Sequence, residues 1–224
     1  MSAYGVLSRV LVQLPVDQPG GTSPDYLRHQ AVMSLFMNDP EARPLFRVIR
    51  DAAGLDELLV LGAQSPEQTS SIETGAWVKR LESKPYAPVL RAGQALDFNI
   101  TVNATGIVTQ PDGRKLRQDV WDIVFAGKPA AEVDRDDIYR QWLARQLAGS
   151  ADVLDAGVGR RSLVRIRRKP RAAPVTFVRT ELTGSLRIRD AALLVQSIVG
   201  GIGRARAFGC GLLCLMPLRS LTRR

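Results

Sequence analysis

Residues 200–218 read GGIGRARAFGCGLLCLMPL. Asp190 to Val199, just before them, has the apolar spacing of a helix, and Leu212 to Leu218 is an apolar run of strand length. The stretch is therefore a glycine-rich connection from a last helix into a last strand. Working outward, Val175 to Arg189 and Gly157 to Lys169 each alternate apolar and basic residues as strands do, joined by a turn at Pro170 to Pro174. Asp134 to Leu147 places Ile138, Trp142, Leu143 and Leu147 at helical spacing. Ala95 to Val108 alternates as a strand, the turn signal QPDG follows at 110–113, and Lys115 to Phe125 is expected to return as the second arm of a hairpin. The second half thus reads β, a hairpin excursion, α, β, β, α, β.

The first half repeats βαββ. Tyr4 to Leu14 is a strand; Ser23 caps a helix with Pro24 at its first position, running from Asp25 to about Met37. Pro44 to Ala52 and Glu57 to Gly62 are strands, Ala76 to Leu81 is a short one, and a second helix is not evident. This order fits an α+β chain of two tandem ferredoxin-like (βαββαβ, RRM-like) domains. Pro85, Pro88 and Gly93 mark the expected boundary, giving domains 1–90 and 91–224.

The glycine loop admits three readings. Gly201 and Gly203 begin a GxG, but a dinucleotide fingerprint follows a strand and opens a helix, and here the order is reversed. Gly200 and Gly201 suit a plain helix C-cap; capping does not call for three further glycines with Arg204 and Arg206 among them. The third reading is an anion site: glycines allow close backbone approach, successive N–H groups form a nest, and arginine forks match phosphate oxygens.

The charge distribution points the same way. The 224 residues carry a net +9, and Val158 to Arg224 hold 15 basic and 2 acidic residues, against 16 basic and 20 acidic before them. Such a concentration is the footprint of a polyanion partner. Read as strands, the two basic segments present a ladder on one face, with Arg161, Arg165, Arg167 and Lys169 on one arm and Arg187 and Arg189 on the other, and Arg160 and Arg168 add to the expected RNA-binding charge. A ribbon of that kind can clamp a nucleic-acid backbone.

No apolar run reaches the ~18 residues of a membrane helix, and a secretory leader pattern is missing, so the cytoplasm is the expected location and no membrane partner is expected. Cys210 and Cys214 with one distant histidine do not make a zinc site, and no metal or other cofactor is expected. If 210–216 continue as a strand, the two thiols share a face. That histidine, His29, lies on the first helix beside the stripe of Leu27, Ala31, Val32, Leu35 and Phe36, with Tyr26 one turn before it. By position alone, a packed or solvated histidine is the commoner outcome.

Residues 201–213, GIGRARAFGCGLL, resemble the glycine-rich loop of the CasE family, the CRISPR RNA-processing endoribonucleases of type I-E Cascade systems, which reads GIGRGKAFGCGLL. Ala205 and Arg206 depart from that pattern. The resemblance extends loosely over most of the chain and implies two ferredoxin-like domains, no cofactor, a CRISPR repeat RNA stem-loop as substrate, and the other Cascade subunits as partners. It also implies a catalytic role for His29, with Tyr26 positioning the 2′-hydroxyl or the histidine. The 2′-hydroxyl of RNA serves as nucleophile, an imidazole with a reference pKa of ~6.5 moves protons near neutrality, and no metal is needed. The expected ends are a 2′,3′-cyclic phosphate or 3′-phosphate and a 5′-hydroxyl. Some family members carry a basic residue soon after the histidine; none stands here before Arg43, so that role is absent or falls to a residue such as Arg28 or Arg206. Gly201, Gly203, Arg204, Arg206 and the ribbon are the expected RNA contacts. A non-catalytic RNA-holding subunit and a DNA-binding regulator are the competing classes.

Overall fold

The computed structural model of the chain describes residues 3–15, 23–52, 55–67, 78–126, 133–167 and 173–218. Two four-stranded antiparallel sheets carry the fold. The first is built from β1 (Val6–Gln13), β2 (Leu45–Ala52), β3 (Leu55–Gly62) and β4 (Val78–Pro85) in the order β2-β3-β1-β4, with α1 (Pro24–Ser34) packed on it. The second is built from β5 (Ala95–Val102), β8 (Ala151–Ile166), β9 (Val175–Ile188) and β10 (Cys214–Pro217) in the order β10-β5-β9-β8. Within each sheet the fourth strand lies beside the first and the third beside the second, so both are ferredoxin-like, as the element order predicts.

Between β5 and β8 come the hairpin β6 (Thr105–Thr109) and β7 (Lys115–Asp119), then α2 (Val120–Phe125) and α3 (Arg135–Gln146). The last helix is α4 (Ala191–Gly200). The caps follow local chemistry: Ser23 accepts from the Tyr26 amide, Asp134 from Asp136 and Asp137, and Asp190 from Leu193.

Several boundaries differ from the sequence reading. Ala95 to Val108 is two strands, broken at Asn103 and Ala104, because the buried Asn103 turns aside to donate to the Val178 carbonyl. Lys115 to Phe125 stops being a hairpin arm at Asp119, whose carboxylate caps α2 by accepting from the Trp121 amide. The helix over 25–37 ends at Ser34, and Met37 and Asn38 take left-handed backbone. β8 begins at Ala151, β3 at Leu55, and β10 is only four residues long. Cys210 therefore lies in the loop and not in a strand with Cys214. Residues 76–77 of the expected short strand lie outside the described residues, as do 68–75.

The two halves share one core. Leu45 and Leu61 from the first sheet cluster with Phe98, Trp142, Ile202, Leu212 and Leu213 of the second half. A smaller core under α1 joins Leu27, Ala31, Val32, Leu35 and Phe36 to Val10, Phe46 and Val60, matching the stripe read from the helix. Among the edge strands, β4 presents Lys79, Arg80, Glu82 and Lys84 to solvent.

The basic ribbon does not make one ladder. β8 carries two irregularities against β9, between Val153 and Asp155 and between Val158 and Arg161, while β9 runs without interruption. On β9, Thr176, Thr180, Leu182 and Leu186 share the face turned to the helices, and Phe177, Arg179 and Arg187 share the other. Arg161, opposite Thr180, and Arg165, opposite Thr176, therefore sit on the face that Arg187 does not. Gly184 stands where the first irregularity crowds the pair, and a Cβ there would overlap the Asp155 carbonyl oxygen. Gly184→Ala is expected to destabilise the protein by ~3 kcal/mol through this backbone clash, measured as a drop in denaturation midpoint.

Candidate active site

The catalytic-helix candidate and the glycine loop meet. His29 on α1 and Gly203, Arg204, Ala205 and Arg206 of the loop line one cavity of about 860 Å³, completed by Arg43, Pro44, Leu45 and Phe46 leading into β2. The His29 ring lies 5.5 Å from the Phe208 ring, centroid to centroid, and 6.1 Å from that of Tyr26. Tyr26 packs on the cluster of Val164, Ile166 and Phe208, with Phe177 and Ala205 beside it, so the outer half of the β8–β9 ribbon rests on the same junction. An early helix and a late loop thus come together, with the outer half of the ribbon packed against their junction.

The loop's glycines are constrained from inside the protein. A Cβ on Gly201 would lie 2.7 Å from Leu45, on Gly203 3.0 Å from Trp142, and on Gly211 2.9 Å from the Ile202 carbonyl oxygen. The amides of Gly201, Ile202, Phe208, Gly209 and Gly211 donate to carbonyls of Ile198, Gly211, Ala205, Arg206 and Thr101. Close approach is what the glycines permit, as expected, but its partners are the first sheet, Trp142 of α3 and the loop itself, and much of the anticipated anion nest is already occupied. Ala205, where the family pattern has glycine, holds φ 55°, a left-handed conformation that costs an alanine ~1 kcal/mol.

The arginines divide by what holds them. Arg28 is buried and donates to Asp56 at 2.6 Å, Asp51 at 2.9 Å and Asp25 at 3.3 Å. It is enclosed by carboxylates, so the substitute role suggested for it is corrected: its charge is spent on fixing α1 to β2 and β3. Burial pushes Asp56 up against the pull of Arg28. Arg206 donates to the carbonyls of Gly203 and Gly200, capping the C-terminal end of α4. Arg161 is tied to Asp119, Asp122 and the Tyr139 hydroxyl, which removes it from any open ladder; burial pushes the Tyr139 hydroxyl up to about 12. Arg189 pairs with Asp152. Arg160, Arg165, Arg187 and Arg204 are exposed and Arg167 half-exposed. Arg168 and Lys169 lie outside the described residues.

Two arginines were missed by sequence reading. Arg43 lines the His29 cavity with its side chain exposed. Arg179, on the same face of β9 as Phe177 and opposite to that of Thr180, donates to Asp25 at 2.6 Å and to the Phe208 carbonyl at 3.0 Å. It joins the first turn of α1 to the loop residue whose ring touches His29. Its one sequence signal is a lone charge between Val178 and Thr180 in mid-strand. Cys210 is buried beside it, and burial pushes the thiol up to about 11. Among the described residues, no group of three or more His, Cys, Asp or Glu side chains is arranged to hold a metal ion, and no helix is long and apolar enough to cross a membrane.

A family model described as CRISPR associated protein matches residues 7–217. The chain belongs to this family. The CRISPR-associated chain is 29% identical over 196 residues to the CRISPR system Cascade subunit CasE of Escherichia coli K12, covering 86% of this chain and 92% of that one. Its fold matches the crystal structure of Cas6e from E. coli K-12 at TM-score 0.69 and 25% identity, over 95% of this chain and all of the other. A Thermus thermophilus Cse3, solved bound to an RNA representing a pre-cleavage complex, superposes at TM-score 0.71 with 18% identity, over 96% of this chain and all of that one. The resemblance to CasE read from the glycine loop is borne out.

Two measurements test the packing just described. Arg179→Met keeps the length but loses both bonds, leaving Asp25 with Arg28 alone; a loss of ~2 kcal/mol is expected, against less than ~0.5 for the exposed control Arg145→Gln. Ala205→Gly, relieving the left-handed alanine, is expected to raise stability by ~0.5 kcal/mol, whereas Gly201→Ala lowers it by ~2; thermal and denaturant midpoints read both.

Proposed function

We propose that this protein is a cytoplasmic endoribonuclease that cuts a CRISPR repeat RNA stem-loop without metal and keeps the product as a Cascade subunit. The observation that carries the reading is the single cavity lined by His29 on one wall and Arg204 on another. The relatives support it: CasE of E. coli is a Cascade subunit, and a Cse3 is named a CRISPR endoribonuclease bound to RNA. Residues 1–90 and 91–224 act as the two domains, each giving one wall.

His29 serves as the proton-transfer group. The 2′-hydroxyl preceding the cut loses its proton and attacks the adjacent phosphorus; the bond to the 5′-oxygen breaks, and that oxygen takes up a proton. The products are a 2′,3′-cyclic phosphate and a 5′-hydroxyl. Arg204 offsets the charge that builds on the phosphoryl oxygens, a contribution often worth several kcal/mol. Tyr26, held by the Phe208 cluster, orients the imidazole or the 2′-hydroxyl. Arg160, Arg165 and Arg167, with Arg187 on the reverse face, draw the RNA backbone to the ribbon, while Gly201 and Gly203 serve by shaping the loop.

His29→Ala is expected to bind the repeat RNA with unchanged affinity and to cleave it at least 10²-fold more slowly. Wild-type protein should bind but not cut RNA carrying a 2′-deoxy substitution at the cleavage site, and EDTA should leave the rate unchanged. Full activity in the mutant would remove the mechanism; a dead wild-type enzyme with intact binding would make the protein a holder of RNA only.

A further inference from the structure

A second cavity, of about 450 Å³, opens on the other side of the glycine loop. Its walls come from three places: Arg117 and Asp119 of β7, Leu163 and Phe177 of the ribbon, and Arg204 and Phe208 of the loop. Arg204 and Ala205 border this cavity and the His29 cavity alike. The β6–β7 hairpin, an addition to the βαββαβ pattern, has no part in the reaction described above, yet it supplies one wall.

The lining has the chemistry of a nucleobase site. Half-buried Phe177 is backed by the buried Phe208, ring centroids 6.0 Å apart and planes within 29°, giving an apolar aromatic wall of the kind on which unpaired bases stack. Arg117 and Arg204 add cations at the rim, both exposed. Arg165 stands on the ribbon face that Leu163 and Thr176 contribute to the cavity, so positive charge continues along the approach. Asp119 is 5% exposed; its Oδ1 accepts from Tyr139, the Trp121 amide and Arg161, while its Oδ2 has no hydrogen-bond partner among the described residues. A buried carboxylate oxygen left without a donor favours a ligand that brings one, such as the projecting amino group of adenine, cytosine or guanine; uracil has no exocyclic amino group and offers only its ring N3–H.

We propose that this cavity is a nucleobase subsite, receiving the unpaired base of a nucleotide adjoining the cleaved linkage and preferring a base with an exocyclic amino group. The proposal rests on the endoribonuclease reading for the identity of the RNA. Its test measures binding alone, on stem-loop RNA made uncleavable by a 2′-deoxy substitution, so the fate of the catalytic mechanism does not decide it.

The nucleotides on each side of the blocked linkage are replaced in turn by adenosine, cytidine, guanosine, uridine and an abasic residue, and dissociation constants are measured with wild-type protein, Phe177→Leu and Arg117→Gln. Phe177→Leu keeps an apolar filler in the partly buried position, and Arg117 is exposed, so at least one variant remains folded. At one of the two positions the abasic residue should weaken binding at least 10-fold and uridine at least threefold relative to the amino-bearing bases. Both differences should shrink to within twofold in Phe177→Leu, and Arg117→Gln should weaken all RNAs with a base at that position more than the abasic one. Equal affinity for all five residues at both positions overturns the subsite. So does a base preference that survives unchanged in both variants. Failure to bind any stem-loop removes the RNA reading together with the subsite.

Discussion

Asp25 is shared by two arginines, Arg28 one turn along the same helix at 3.3 Å and Arg179 from β9 of the second sheet at 2.6 Å. Neither guanidinium has ready access to water, and each is a formal positive charge that the interior tolerates only with a carboxylate beside it. The pair therefore fixes where the first turn of α1 sits on the second sheet. His29 is one turn further along the same helix, and Arg179 also holds the carbonyl of Phe208, whose ring touches His29. The distance between the imidazole and the loop arginines follows from this ionic knot, with the glycines that let Leu45 and Trp142 press against the loop completing the fit.

Where the determinant was local, the sequence was enough. The Ser23–Pro24 start of α1 and its apolar stripe follow from capping and from 3.6-residue spacing, and both are present in the fold. The strand order of two ferredoxin-like units follows from the succession of elements. The glycine loop sat between the last helix and the last strand, as its flanks required. His29 and Arg204 share a cavity, but no local signal says so, and only the family resemblance brought the two together in advance.

What could not be read was non-local. The ribbon looked like a single basic ladder because alternation was counted along each strand separately, while irregularities in β8 and the pairing register decide which faces coincide. Arg161 and Arg28 look like any other arginines in sequence; Asp119, Asp122, Asp51 and Asp56, all distant in the chain or on other elements, consume them. Asp119 was expected in the middle of a hairpin arm; it is the arm's last residue, and its side chain caps α2. The glycines signalled close approach correctly, and the identity of what approached lay in Leu45, Phe46 and Trp142, far away in the chain.

The outer edge of the first sheet has a consequence for how the molecule meets other chains. Among the described residues the outer edge of β4 has backbone donors and acceptors with no strand beside them, the situation that invites an additional chain to pair. Its exposed Lys79, Arg80, Glu82 and Lys84, with Pro85 at its end lacking an amide hydrogen, make uninvited augmentation costly. A chain whose last third is strongly basic thereby carries, on its first sheet, an edge whose chemistry disfavours strand pairing.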